Sequence, residues 1–293
     1  MKNFWDNFLT KEQGLNTIRL FQLAFLGWLF FHSVAMLPYG DQIWGPNGYP
    51  LVDFNFTDIR ALGTLLSFPQ ITPFYQWFVG AHLICIVLAM FSVLPRTMYL
   101  LLFLLTINLN TRALGTTSGG TTLSELLLLY MIFVNTTGKE LKSSQLKTAL
   151  HNLFFWIMRL QIVFIYASAI LSKTQHALWM EGLATYYIFQ SGQSSQPWAG
   201  PIAVSYPIIP IFGNYLTIAF QFLFPLLVWV KKFKPYIILV GMVLHLMMSF
   251  VMGLFFFGIL MSLVYILFYE ESFSKSILEF PKKLFRGNII ANG

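Results

Sequence analysis

Eight runs of mostly apolar residues, at about 18–38, 74–94, 97–114, 121–135, 150–172, 214–230, 236–252 and 254–269, leave this chain few ways to fold. About 20 apolar residues, rising ~1.5 Å each in a helix, match the hydrocarbon core of a bilayer. Inside that core every backbone N–H and C=O must be satisfied within the chain, so the runs are predicted to be helices. The fourth run is short, and the last two share one apolar stretch broken around Gly253, which leaves seven spans as the competing count. Composition points the same way: 57% of the 293 residues are hydrophobic and 10% charged, against roughly 25% charged in a soluble globular domain. The expected fold is all-α, a polytopic integral membrane bundle of about eight spans. It is expected to form a single transmembrane domain over 1–293, with a short tail over about 270–293.

Loop charges orient the bundle. With the N-terminus cytoplasmic, the inner segments are 1–17, Pro95-Arg96, 136–149 with Lys139, Lys142 and Lys147, 231–235 with Lys231, Lys232 and Lys234, and the tail with Lys275, Lys282, Lys283 and Arg286. The outer segments are 39–73 with Asp41, Asp53, Asp58 and Arg60, the uncharged 115–120, and 173–213 with Lys173 and Glu181. Nearly every basic loop residue then lies inside, as the positive-inside rule requires, and a miscount by one span would scramble the pattern. Both termini are therefore expected in the cytoplasm, in a multi-pass protein of the cell membrane. The net charge of +7 reads as loops facing anionic lipid rather than as a nucleic-acid surface. No small-residue cleavage site follows the first run, so it is read as a retained span and not a signal peptide. Cys85 is the one cysteine and lies in an apolar run, and the five histidines show no metal-site spacing, so neither a disulfide nor a metal centre is expected.

The two large outer segments contain "LPYGDQIWGPNGYPLVDF" and "FQSGQSSQPWAGPIAVSYPIIPIFG". Both are too apolar for free disorder and are expected to fold as caps or re-entrant segments. No internal repeat is visible.

Polar residues within spans are costly and mark function or pairing. In "NLNTRALG", Asn108 and Arg112 are four apart and share a helix face. Glu125 begins the next span at the same outer end, where it can meet Arg112 in a structural ion pair. In the fifth run Arg159, Tyr166 and Lys173 are spaced by seven, nearly two turns, and form one stripe. An arginine near mid-membrane must face protein or water, so its stripe-mates face the interior too. Lys173 then has two readings: an anchor reaching lipid headgroups, or a cavity lysine that surrenders its proton in partly apolar surroundings and serves as a general base. His245, about ten residues into the seventh run, could bind a cofactor, relay a proton or hydrogen-bond a neighbouring helix. The same alternatives hold for His32. Met242, Met247, Met248 and Met252 read as packing rather than a copper path, and His176 as a loop residue.

The stretch "RLQIVFIYASAILSKTQHALWMEGLATYY" resembles the horizontally transferred transmembrane (HTTM) family, which includes the membrane domain of the vitamin K-dependent gamma-carboxylases. Those enzymes have an Arg-x-Gln, a Tyr five residues beyond the Gln, a Lys seven beyond that, then Trp-x-Glu-Gly. Here the matches are Arg159, Gln161, Tyr166, Lys173, Trp179, Glu181 and Gly182, with one extra residue between Lys173 and Trp179. Weaker resemblance continues in "NLNTRALGTTSGGTTLSE" and in "VLHLMMSFVMGLFFFGILM", where His245 matches a family histidine. The ending "EGLATYYIF" and the compact size look like a bacterial branch, the membrane component of sporulation-delaying-protein (killing-factor) maturation.

The resemblance implies Lys173 as base, with Tyr166, Arg159 and His245 as catalytic companions and Asn110, Arg112 and Trp179 at a cofactor. In the carboxylases the matched lysine deprotonates reduced vitamin K, oxygen adds, and the strong base formed removes a glutamyl γ-proton before CO2 joins the carbanion. A quinol would enter from lipid and a peptide from outside. Two departures stand out: Leu109-Asn110-Thr111 replaces the carboxylases' Asn-Asn-His, and about 24 residues follow the last span where those enzymes have a large domain. The reading that results is maturation or modification of an exported peptide, with the lipid bilayer, that peptide and a small partner protein as partners. A carboxylase or epoxidase reaction is one alternative. Transport of a peptide or lipid, or toxin immunity, is another, against which stands the lack of inverted repeats and of a broken-helix pair. A scaffold for a partner enzyme is the third.

Overall fold

The computed structural model describes residues 8–46, 74–113, 118–140, 144–192 and 194–290, with side chains left out for 282–290. Asp53, Asp58, Arg60 and Lys142 lie outside the described residues, as do the side chains of Lys282, Lys283 and Arg286.

Each of the eight apolar runs is helical: α1 Leu15–Met36, α2 Tyr75–Met90, α3 Pro95–Arg112, α4 Gly119–Met131, α5 Gln145–Thr174, α6 Ile208–Leu227, α7 Lys234–Met252 and α8 Phe255–Leu263. A ninth helix, α9 Glu271–Ile290, follows, and no strand occurs among the described residues. Leu15–Trp44, α5, α6 and α7 are long and apolar enough to cross a membrane, and Phe255–Phe268 with Glu271–Pro281 makes a fifth if counted as one broken span. Several helices have visible boundary signals. A capping box starts α4, with Ser118 Oγ accepting from the Gly120 N–H and Thr121 Oγ1 from the Ser118 N–H. Gly253 ends α7 at φ +69°, the left-handed conformation that glycine adopts without strain. The expected break at Gly253 is thus present.

The contacts divide into two compact units, Met1–Ile157 with Tyr269–Gly293, and Met158–Phe268. In the first unit, Ile18, Phe21, Phe25, Tyr99, Leu102, Leu127 and Met131 are buried among α1, α3 and α4. Its polar groups secure chain ends. Arg19 of α1 donates to Met90 O (3.0 Å) and Ser92 Oγ (2.9 Å), and Gln22 donates to Ala89 O (2.8 Å), which satisfies carbonyls at the end of α2. His151 Nδ1 accepts from the Asn135 N–H, so Nε2 carries the proton and donates to Gln13 O (2.8 Å). Asn152 accepts from the Gln13 N–H and donates to Phe8 O and Lys11 O. Gly14, at φ +65°, has the Phe155 ring where a Cβ would point.

In the second unit, the segment 173–213 contains three short helices, Ala177–Met180, Ala184–Gln190 and Ala199–Ser205. Of the two segments expected to fold as caps or re-entrant segments, this one is largely helical, and residues 47–73 of the other lie outside the described residues. All three pack on α6, and the Gln196 N–H closes onto Val251 O at 2.7 Å. Gly258 lies against the carbonyl of His245 and Gly241 against the Tyr265 hydroxyl and the Phe220 ring, so α7 and its neighbours approach to backbone distance.

Candidate functional site

Helix α5 buries Met158, Ile162 and Tyr166 along one side, at the three-to-four spacing of a helical stripe. Tyr166 is 2% exposed and its hydroxyl sits between two partners, His245 Nε2 at 2.8 Å and Tyr265 Oη at 2.6 Å. Residues from α7, α5 and the 3-10 helix Val264–Phe268 thus form one buried His–Tyr–Tyr chain with Tyr166 at its centre. Aromatic rings surround it: Phe224 lies 4.5 Å and Phe220 5.1 Å from the Tyr166 ring, and Phe257 stands edge-on to His245 at 5.9 Å. Hydroxyls rotate, so the chain can carry its hydrogens in either direction. His245 Nδ1 is buried with no partner among the described residues. A group left in that state ordinarily costs about 1–3 kcal/mol, so the position is one where a polar ligand atom or a water would be favoured.

The other two members of the stripe are each about 10 Å along the helix axis from Tyr166, from seven residues at ~1.5 Å. Arg159, half-buried, donates from Nε to Leu267 O at 2.7 Å. That carbonyl belongs to the 3-10 helix, and the arginine meets protein, as a charge at that depth must. Lys173 stands in the last turn of α5, with Nζ 4.8 Å from the centre of the Trp179 ring. The ammonium therefore folds over an aromatic face.

The turn that brings Trp179 under Lys173 is held from below. Asn214 of α6 donates to Trp179 O at 2.8 Å and Tyr215 Oη to Met180 O at 3.3 Å. Gly182 adopts φ +82° with the Tyr215 ring where a Cβ would stand, so this glycine serves both backbone conformation and close approach. Glu181 and His176 are exposed.

The remaining candidates lie in the first unit. Asn110 Nδ2 donates to Glu125 Oε1 at 2.7 Å, and Arg112 is the last, half-buried residue of α3. Asn108 donates back to Leu104 O within its own helix. Asn110 lines a small cavity with His32, Ser33, His82, Thr106 and Ser124. His82, 2% exposed, bridges α1 and α3, with Nδ1 3.3 Å from Ser33 Oγ and Nε2 3.0 Å from Thr106 Oγ1. The cavity is small, and its polar lining suits ordered water. Trp179 belongs to the other unit.

Two contributors escaped the sequence reading, Tyr265 and His82. Each sits in an apolar run, where the available signal was simply a hydrogen-bonding side chain in a span. No protein-family model, curated protein or solved structure matches this chain.

Proposed function

We propose that the chain is a cell-membrane protein of the HTTM type, with eight spans and cytoplasmic termini, that modifies or matures an exported peptide. Lys173 acts as the base at the outer end of α5, Trp179 positions it, and Tyr166 and His245 carry polar chemistry into the bundle. The observation that supports this most is the pairing of Tyr166 with His245 at 2.8 Å on the helix that also presents Lys173. Two residues 79 apart, singled out separately, share a buried hydrogen bond in an aromatic enclosure. Lys173 folding over Trp179 also favours a held lysine over one extended to headgroups. The positive-inside pattern, with Lys139, Lys231, Lys232 and Lys275 on one side, supports the sidedness.

The chemistry asked of this chain is proton transfer. By the resemblance, Lys173 would take the hydroxyl proton of a quinol-type co-reactant, which carries the modification of the peptide, and pass that proton to bulk water at the outer surface, while the short helices over α6 shape the approach. Lys173→Ala is expected to abolish the mass change of the exported peptide while the protein inserts and accumulates as the wild type does. Mass spectrometry of a candidate peptide encoded beside the gene, with membrane immunoblots for abundance, reads both. A peptide fully modified in that variant would end the base assignment.

A further inference from the structure

Helix α9 is anchored to the start of the first span. Glu271 accepts from the Asn16 N–H and Asn16 Nδ2, each at 2.7 Å, and from the Thr17 N–H and Thr17 Oγ1 at 3.3 and 3.2 Å. The carboxylate thus satisfies free N–H groups in the first turn of α1, at the positive end of its dipole. Ser274, fully buried, meets Thr17 Oγ1 at 3.1 Å. Since Leu15–Trp44 is long and apolar enough to cross a membrane, its first turn lies at the boundary between hydrocarbon and water. The first turn of α9 lies there with it.

From that anchor α9 turns an apolar face outward. Phe273, Ile277 and Phe280, at positions i, i+4 and i+7, are 53%, 38% and 63% exposed. Lys275 and Glu279 pair with each other on another face at 3.9 Å. Over 271–290 the sequence carries Lys275, Lys282, Lys283 and Arg286 against Glu271 and Glu279, and Glu271 is already committed to α1. Three large apolar side chains held at the edge of a bilayer, on a helix with basic excess, match the physics of an interfacial amphipathic helix. Basic residues close to an anionic leaflet add to that attraction.

We propose that α9 lies in the headgroup region of the leaflet where α1 begins, with Phe273, Ile277 and Phe280 in the acyl boundary, and that anionic lipid holds it there. The fit is to a lipid surface rather than a protein groove. The apolar face is adjacent to a span by its own hydrogen bonds, and its charge is opposite to that of the lipid.

The test uses the full chain in lipid nanodiscs, in a Cys85→Ala background, with spin labels at Ile277→Cys, Phe280→Cys and Lys275→Cys. Collision with oxygen, which partitions into lipid, is compared with collision with a water-soluble nickel complex. The oxygen-to-nickel ratio at 277 and 280 is expected to exceed that at 275 several-fold in discs containing phosphatidylglycerol. In discs of phosphatidylcholine alone the contrast should shrink. Lys282→Gln with Lys283→Gln should weaken the embedded state by up to about fivefold per charge. Hydrogen exchange of the unlabelled wild type over 273–281, slower in the anionic discs, guards against distortion by the labels. Equal nickel access at all three sites, a contrast indifferent to lipid charge, or shielding from both reagents, as a protein partner would give, would each overturn the proposal.

Discussion

The two units use buried polar groups with different emphasis. In the first, Arg19, Asn135, His151, Asn152 and Glu271 spend their hydrogen bonds on backbone groups at helix ends and turns. In the second, Tyr166, Tyr265 and His245 bond side chain to side chain within aromatic rings, and three buried atoms, Asn214 Oδ1, Gln221 Oε1 and His245 Nδ1, lack partners among the described residues, as do Tyr99 Oη and Thr136 Oγ1 of the first unit. Securing backbone stabilises a fold, since an orphaned group there costs about 1–3 kcal/mol. Leaving side-chain atoms unsatisfied does not, and strained or unsatisfied positions cluster where ligands bind or chemistry occurs. The difference is one of degree, since His82 of the first unit also bonds side chain to side chain with Ser33 and Thr106; under the proposed function it is the Tyr166–His245 pair that carries the chemistry.

Substitutions can break or sharpen that contrast. The largest loss is expected at Gly258→Ala, because the new Cβ would meet the His245 carbonyl and Ser249 Oγ. Overpacking against backbone should cost about 3 kcal/mol, seen as a lower midpoint in denaturant titration in detergent and as lost activity. Asn152→Ala should cost about 2 kcal/mol by freeing Gln13 N, Phe8 O and Lys11 O. Peptide modification should then fall only as far as protein abundance falls. Tyr166→Phe keeps the ring and removes the central hydroxyl of the chain, for about 1 kcal/mol. Activity per folded molecule should drop well beyond that change, and if it merely followed abundance the division of labour would be wrong. Smallest is Lys275→Ala. Its ion pair is 61% and 42% exposed, with the lysine N-terminal to the glutamate, the weaker order. A shift below about 0.3 kcal/mol is expected in the same titration.

Much of the helical frame was legible in the sequence, because apolar runs bounded by Pro95, Ser118 and Gly253 carry their own start and stop signals. The lengths were less so. The fourth run, read to 135, ends as a helix at Met131, since apolarity persists past the point where the hydrogen-bonded turn changes. Tyr166 and His245 could each be singled out as polar residues in spans, but nothing in one sequence links positions 79 apart. Glu125 accepts from Asn110 Nδ2, a partner that a reading of Arg112 and Glu125 at shared helix ends did not single out. Tyr265 was missed because an aromatic in an apolar run looks like packing until its hydroxyl finds a partner.

The central claim is that Lys173 gives up and takes back a proton. Arginine at this position keeps the charge and can still stack over Trp179, but it does not release a proton at ordinary pH. Mass spectrometry of the exported peptide from cells carrying Lys173→Arg, at wild-type protein abundance, therefore tests the claim most directly. Unmodified peptide is the expected result. Modification at the wild-type level would contradict the account and leave Lys173 a charge that binds rather than a base.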